Sequence, residues 1–323
     1  MTKPFRWGIL GAAKIARTHV APAIHAAAGA ELAALATRDP TRAAAFRALA
    51  PCIRVHSSYD SLLDDPSVDA VYIPLPNHLH VDWCVAALAA GKHVLCEKPM
   101  ALAASDFDRL EVAQAAAGRH LAEGFMVLHH PQWHRARDLV RGGAIGTLVH
   151  VEGVFTYANA DPANIRNRPE TGGGALRDIG VYPLVTTRFV TGTEPTTLDA
   201  RVTVEGGVDI HASARADFPG VTLDFRVGMR LALRQEMVFH GTDGWLRLTA
   251  PFTPGAYGDA RLELRRNAGD WQIESFNAAE QYRLMIEAFA REVRSAEPRV
   301  PLAFSRGNQV ALDALLAAGG LGR

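Results

Sequence analysis

The chain has 323 residues, 34 Lys plus Arg against 34 Asp plus Glu, and 48% apolar residues; this balance gives no basic or acidic excess for nucleic acid or a membrane surface. At this length a single core stops growing, so two domains are expected. Cys52, Cys84 and Cys96 form neither a Cys-x-x-Cys pair nor an even disulfide framework, and no signal-type start or apolar run of about 18 residues is present, so a cytoplasmic protein with reduced thiols is expected.

Phe5 to Leu10 is a short apolar strand closed by Gly11, and an Ala-rich helix follows to about Ala28. The turn Gly11-Ala12-Ala13-Lys14-Ile15-Ala16 reads Gly-x-Ala-x-x-Ala, a dinucleotide fingerprint with alanine at its second and third glycine positions. Gly11 permits the tight turn, Ala13 lets the backbone come near a pyrophosphate, and the helix N-terminal amides face the anion. Gly11, Ala12, Ala13, Lys14 and Ile15 are therefore candidate cofactor contacts. Strings of this kind are also common in purely structural helix starts, so the next strand must support the reading.

That strand, Glu31 to Ala36, ends in Thr37-Arg38-Asp39-Pro40-Thr41-Arg42. An NAD site places a carboxylate at the strand tip for the ribose 2′-hydroxyl; here Thr37 and Arg38 stand there, with Arg42 nearby, and a guanidinium suits a 2′-phosphate. NADP is expected, with NAD as the alternative if Arg38 and Arg42 are surface residues and Asp39 is the ribose contact. A helix over Thr41–Leu49 and a segment at Arg54–His56 lead to the buried strand Asp69–Ile73.

Pro74-Leu75-Pro76-Asn77-His78-Leu79-His80 follows, two prolines straightening a loop that can pass over a nicotinamide ribose, with Asn77 as the cap of a helix to Ala90. Leu75, Pro76, Asn77 and His80 are candidate cofactor contacts. His78-x-His80 has no Cys or carboxylate at ligand spacing, so no metal is expected. The strand His93–Cys96 then delivers Glu97-Lys98-Pro99. A charged pair at a strand end is usually solvated, but ligands of open α/β sheets bind outside the carboxyl ends of the strands. A helix over Ser105–Ala117 and the strand His120–Glu123 complete this half.

From Leu148 the pattern changes to alternation, in Leu148–Glu152, Arg201–Val204, Val221–Val227, Arg234–Phe239 and, after a turn at Thr242-Asp243-Gly244, Trp245–Leu248. Runs of period two without long intervening helices imply an antiparallel sheet. Helices are expected near Ala279–Val293 and Asn308–Ala318. Gly172-Gly173-Gly174 opens a further helix to Phe189, on which Asp178 and Tyr182, four residues apart, share a face. His129-His130-Pro131-Gln132-Trp133-His134 is read as linker and pocket wall.

Gly8 to Ala16, Pro74 to His80 and Gly91 to Pro99, with its Glu-Lys-Pro, resemble the glucose-fructose oxidoreductase, inositol dehydrogenase and MocA family, as do Asn164-Ile165-Arg166 and Gly172 to Tyr182. The resemblance implies an α/β protein: an N-terminal Rossmann domain at 1–123, and at 124–323 an α+β domain on an open, mainly antiparallel sheet that makes homodimer or homotetramer contacts. Most of the family carries histidine where Tyr182 stands. The chain is in this respect most similar to the dihydrodiol and xylose dehydrogenase branch, which carries tyrosine.

The expected reaction is hydride transfer between nicotinamide and a hydroxyl or carbonyl carbon of a sugar, polyol or dihydrodiol. Tyr182 exchanges the proton as general acid or base. A free tyrosine titrates near pH ~10, and Lys98 is the candidate cation that favours its phenolate while holding the substrate oxygen and a ribose hydroxyl. Asp178 positions substrate or Lys98, Glu97 orients Lys98 or the cofactor, and Arg166, by resemblance, contacts cofactor or substrate. Two other readings stand beside this one. An NAD-dependent glycoside hydrolase would use transient oxidation, and a non-catalytic dinucleotide sensor would not need Lys98, Asp178 and Tyr182 together.

Overall fold

The computed structural model describes residues 3–267, 269–298 and 300–322. The chain forms two compact units, Met1–Met126 with Glu280–Arg306, and Val127–Ala279 with Gly307–Arg323. The first crossing lies close to the expected boundary at residue 123. The segment Glu280–Arg306, expected in the second domain, instead returns to the first unit. Its helix Gln281–Ser295 is amphipathic, and Phe289 packs on Trp7 at 4.9 Å and on Phe5 at 6.2 Å between ring centroids. Burying such rings is what draws a distant segment back onto a sheet.

The first unit is built on six parallel strands: β1 (Phe5–Leu10), β2 (Ala30–Ala36), β3 (Arg54–His56), β4 (Ala70–Ile73), β5 (His93–Cys96) and β6 (Leu121–Glu123), in the order β3-β2-β1-β4-β5-β6. The central strands are apolar along their length, as in β4, where all four residues are buried, because both sheet faces are covered. The chain winds outward from β1 to β3 and restarts at β4 on the other side of β1. The switch point between β1 and β4 opens the ligand crevice of a doubly wound sheet at the carboxyl ends of the strands. Leu10 there runs into Gly11, Ala36 into Thr37, Ile73 into Pro74 and Cys96 into Glu97.

The second unit carries eight strands: β7 (Leu148–Ala158), β8 (Thr197–Glu205), β9 (Val208–Phe218), β10 (Val221–Gly228), β11 (Arg230–Gly241), β12 (Gly244–Leu248), β13 (Arg261–Arg266) and β14 (Trp271–Ser275). Their order is β14-β13-β12-β11-β7-β10-β9-β8, parallel at β10–β7 and antiparallel elsewhere. This is the open, mainly antiparallel sheet expected. The helix Val181–Thr191 is buried from Val181 through Arg188; within it Thr186 donates to the Tyr182 carbonyl at 2.7 Å and Arg188 pairs with Glu194 at 2.6 Å. The last helix, expected from Asn308, begins at Leu302.

The histidine-rich run is placed differently from its reading as linker and pocket wall. His130, Gln132 and Trp133 are fully buried; Gln132 Nε2 and Trp133 Nε1 donate to the Pro251 carbonyl at 3.3 and 2.9 Å, and His130 Nδ1 accepts from Gln132 N at the start of the helix Pro131–Arg141. These side chains belong to the core of the second unit. Among the described residues no helix is long and apolar enough to cross a membrane.

Candidate active site

β1 ends at Gly11 with φ +103°, and a Cβ there would meet the Leu75 side chain at 3.1 Å and the Tyr59 hydroxyl at 3.3 Å, so glycine is required. Ala12 is buried, Ala13 and Ile15 are half-buried, and Lys14 is exposed. The helix widens at once to a π-helical turn at Ala16–Val20, a form common at functional sites. Arg42 reaches across to donate to the Ala12 carbonyl at 2.8 Å. Its guanidinium is thereby fixed beside the turn.

Thr37 is buried, and its hydroxyl donates to the Asp39 carbonyl at 3.1 Å. Asp39 Oδ1 accepts from Thr41 N at 3.0 Å and Thr41 Oγ1 at 2.6 Å, capping the turn Pro40–Ala43, and these bonds hold the Asp39 carboxyl below its ordinary range. The ribose role open to Asp39 therefore competes with its role as a cap. Arg38 and Arg42 are the exposed cations of this strand tip. Two guanidinium groups beside a carboxylate turned onto its own backbone fit a dinucleotide bearing a 2′-phosphate.

At the tip of β4, Leu75 is buried and Pro76 and Asn77 are half-buried. Asn77 does not occupy the expected cap. A 3₁₀ turn over Asn77–Leu79 precedes the helix His80–Ala89, and Pro76 and Leu79 hold the two cap positions. His80, expected against the cofactor, is fully buried, its Nδ1 2.8 Å from the Pro99 carbonyl and its Nε2 2.8 Å from the Leu75 carbonyl. It lies beneath two loops and joins them. Burial above all pulls the imidazole pKa down.

The tip of β5 presents Glu97 and Lys98, both half-buried, before a cis Lys98–Pro99 peptide. Tyr72, fully buried on β4, donates its hydroxyl to Glu97 Oε1 at 2.6 Å, and Glu97 Oε2 accepts from Lys98 N at 3.2 Å. Burial, then the Glu97 charge, push the Tyr72 phenol well above its ordinary pKa, so it stays a donor.

In the second unit, the glycine entry is a steric necessity. A Cβ on Gly173 would lie 2.4 Å from the Arg166 carbonyl oxygen, and one on Gly174, at φ +117°, would lie 2.1 Å from Asp209 Oδ1. The helix it opens is not uniformly α: Leu176–Gly180 is a π-helical turn that passes into Val181–Thr191. Asp178 sits in this turn. Its Oδ2 accepts from Tyr157 Oη at 2.6 Å and pairs with Arg166 Nε at 2.8 Å. Asp178 was expected to position substrate or Lys98, and Arg166 to contact cofactor or substrate; the structure joins these two to each other. The Asp178 charge raises the Arg166 pKa, and burial, then that charge, raise the Tyr157 pKa. Tyr182 is 5% exposed, its ring 5.6 Å from Phe155 and 5.4 Å from Phe252.

Three residues of this constellation escaped the sequence reading. Tyr72 lies in the recognised strand β4, where a hydroxyl among apolar neighbours was the available signal. Tyr157 and Asp209 carry no local signal. Among the described residues no group of three or more His, Cys, Asp or Glu is arranged to hold a metal.

Residues 5–125 match the model of an oxidoreductase family with an NAD-binding Rossmann fold, and residues 133–247 match the GFO/IDH/MocA C-terminal domain. The dTDP-3,4-didehydro-2,6-dideoxy-alpha-D-glucose 3-reductase of Saccharopolyspora spinosa is 37% identical over 91% of this chain and 89% of its own. D-xylose 1-dehydrogenase (NADP(+)) 2 of Haloferax volcanii is 37% identical over 91% of both chains. A 3-ketoreductase from Actinomadura kijaniata, solved with NADP and TDP-benzene, superimposes with TM-score 0.90 at 33% identity over 98% of both chains. That enzyme has also been solved with a lysine replaced by alanine and with a tyrosine replaced by phenylalanine; these two residues are 84 positions apart, as are Lys98 and Tyr182. The chain belongs to the GFO/IDH/MocA family of oxidoreductases.

Proposed function

We propose that this oxidoreductase transfers a hydride between NADP and a carbinol or carbonyl carbon of a sugar, with Tyr182 as the proton-exchanging group and Lys98 as the cation of the reaction. The observation that carries the reading is the 84-position separation of Lys98 and Tyr182, shared with the lysine and tyrosine varied in the ketoreductase. When bound, NADP supplies the hydride acceptor or donor. Gly11 to Ile15 hold the pyrophosphate, Arg38 and Arg42 the 2′-phosphate, and Leu75, Pro76 and Asn77 border the nicotinamide ribose. Lys98 holds the substrate oxygen and stabilises negative charge on it or on the phenol. Tyr182 gives or takes the hydroxyl proton. Asp178, fastened by Arg166 and Tyr157, fixes the substrate's orientation without exchanging the proton itself. The enzyme works in the cytoplasm as a homodimer or homotetramer.

A screen of D-xylose, D-glucose, myo-inositol and a dihydrodiol with NADP and with NAD, read by absorbance of the reduced coenzyme, tests this. The dehydrogenase reading predicts turnover of at least one of the sugars with a preference for NADP. No oxidation of any of them together with NADPH-dependent reduction of a dTDP-linked ketosugar narrows the substrate to the nucleotide-linked class. Inertness toward both classes defeats the reading.

A further inference from the structure

Asp209 lies outside every motif in the chain, yet it is 1% exposed, and its Oδ2 accepts from Leu176 N at 2.6 Å. Its burial needs explaining. Along β9 the odd-numbered residues His211, Ser213, Arg215 and Asp217 are half-buried or exposed, while Ala212, Ala214, Ala216 and Phe218 are buried. Strict alternation would put Asp209 on the outward face with His211. Between Thr203 and Val204 the register with β8 shifts, because Thr203 pairs with His211 and Val204 with Asp209. Ile210 is therefore the extra residue of a β-bulge, and a bulge re-aims the side chain beside it.

The re-aimed carboxylate lands at the first turn of the helix that carries Asp178 and Tyr182. There the leading backbone N–H groups lack partners within the helix, and Leu176 donates its own to Asp209. Gly174 has no side chain because a Cβ would occupy the place of Asp209 Oδ1. Bulge, glycine and carboxylate form one fitting. A buried carboxylate is costly unless hydrogen-bonded, and here the helix start supplies the donor.

From this geometry we infer that Asp209 is a positioning residue: it anchors the start of the helix from a neighbouring strand and thereby sets where Asp178 and Tyr182 stand. The inference rests on the roles proposed above for those two residues. It concerns a group that does not itself touch substrate.

The test uses the full chain with Asp209→Asn and, separately, Asp209→Ala. Asparagine keeps one acceptor oxygen and alanine keeps none, so their effects should be graded. Amide hydrogen exchange is followed over peptides covering residues 174–182, alongside kcat and KM with D-xylose and NADP and the affinity for NADPH by fluorescence. The expected result is faster exchange confined to 174–182, a fall in kcat of about tenfold to a hundredfold, as a misplacement of about 1 Å produces, and unchanged NADPH affinity. Unchanged exchange at 174–182, or faster exchange there with kcat intact, overturns the inference. If the wild-type chain does not oxidise D-xylose, the kinetics are read with a sugar that it does oxidise, and if it oxidises none the proposed function fails on its own. The exchange result then still decides whether Asp209 anchors the helix.

Discussion

Arg166 and Asp178 meet at 2.8 Å through the same carboxylate oxygen that receives the Tyr157 hydroxyl at 2.6 Å. The Asp178 side chain is 13% exposed and that of Arg166 is 42% exposed, so the pair stands at the edge of solvent. A carboxylate held by a guanidinium and a phenol is a fixed point of charge. Such a point can orient a substrate hydroxyl.

Tyr157→Phe removes one donor to that carboxylate and leaves the ion pair. A hydrogen bond to a charged group contributes about 1.5–3 kcal/mol, so kcat/KM should fall by about tenfold to a hundredfold. Arg166→Gln removes the countercharge and should cost more. Steady-state kinetics on both variants check the order; the reverse order would mean that the phenol rather than the guanidinium holds Asp178.

Lys98→Met and Tyr182→Phe should each lower kcat by about 10²- to 10⁴-fold, the range for loss of a positioned proton-transfer group or its electrostatic partner. NADPH affinity, read by fluorescence, should change little for Tyr182→Phe. Near wild-type turnover in both variants would remove them from the mechanism.

What the sequence made legible was local. Gly11, the apolar strands, and Lys98 at the end of β5 are each set by neighbours along the chain, and period and turn chemistry expose them. Asp178 and Tyr182 were visible because helical spacing relates them. The partners of those residues were not. Tyr157 reaches Asp178 from another element, and Asp209 faces inward only because a bulge interrupts the alternation of β9. The helix Gln281–Ser295 stands close to where one was expected, but periodicity does not say which sheet receives an apolar face.

Arg38 and Arg42 should separate when coenzyme preference is measured. Arg42 binds the Ala12 carbonyl, so Arg42→Ala loosens the dinucleotide turn and should raise KM for NADP and NAD alike. Arg38, exposed at the strand tip, is proposed to hold the 2′-phosphate, so Arg38→Ala should raise KM for NADP by about tenfold or more, as loss of a charge-assisted contact does, and spare NAD. Equal loss of both coenzymes on Arg38→Ala would remove it from the phosphate site.

His80 ties the Leu75 loop to the Lys98–Pro99 turn. A neutral imidazole donates from one nitrogen only, so His80→Leu leaves one buried carbonyl without its donor, at about 1–3 kcal/mol, and should lower the thermal midpoint. It should also reduce kcat, because the turn carrying Lys98 loses its tether. His80→Gln, whose amide can still donate, should recover part of both. A His80→Leu variant with a lowered midpoint and full kcat would confine His80 to a stabilising role.

Burial pushes the Asp209 carboxyl up to about 6, against donation from the Leu176 and Ala175 amides and the nearby Arg177 charge, which pull it down. Its folded pKa thus lies above the unfolded value of about 3.9. Between these limits the folded state binds the proton more tightly, so the contribution of Asp209 to stability is full below pH ~4 and is lost as pH rises through about 6. The loss is on the order of 3 kcal/mol for a group this buried. Asp209→Asn has no proton to lose. The difference in unfolding free energy, wild type minus variant, should therefore fall as pH rises from 4 to 7, measured by urea unfolding at each pH. A difference that stays flat across this range would mean that Asp209 ionises in the fold as it does in the open chain. The helix start would then hold it through its backbone donors strongly enough to cancel the cost of burial.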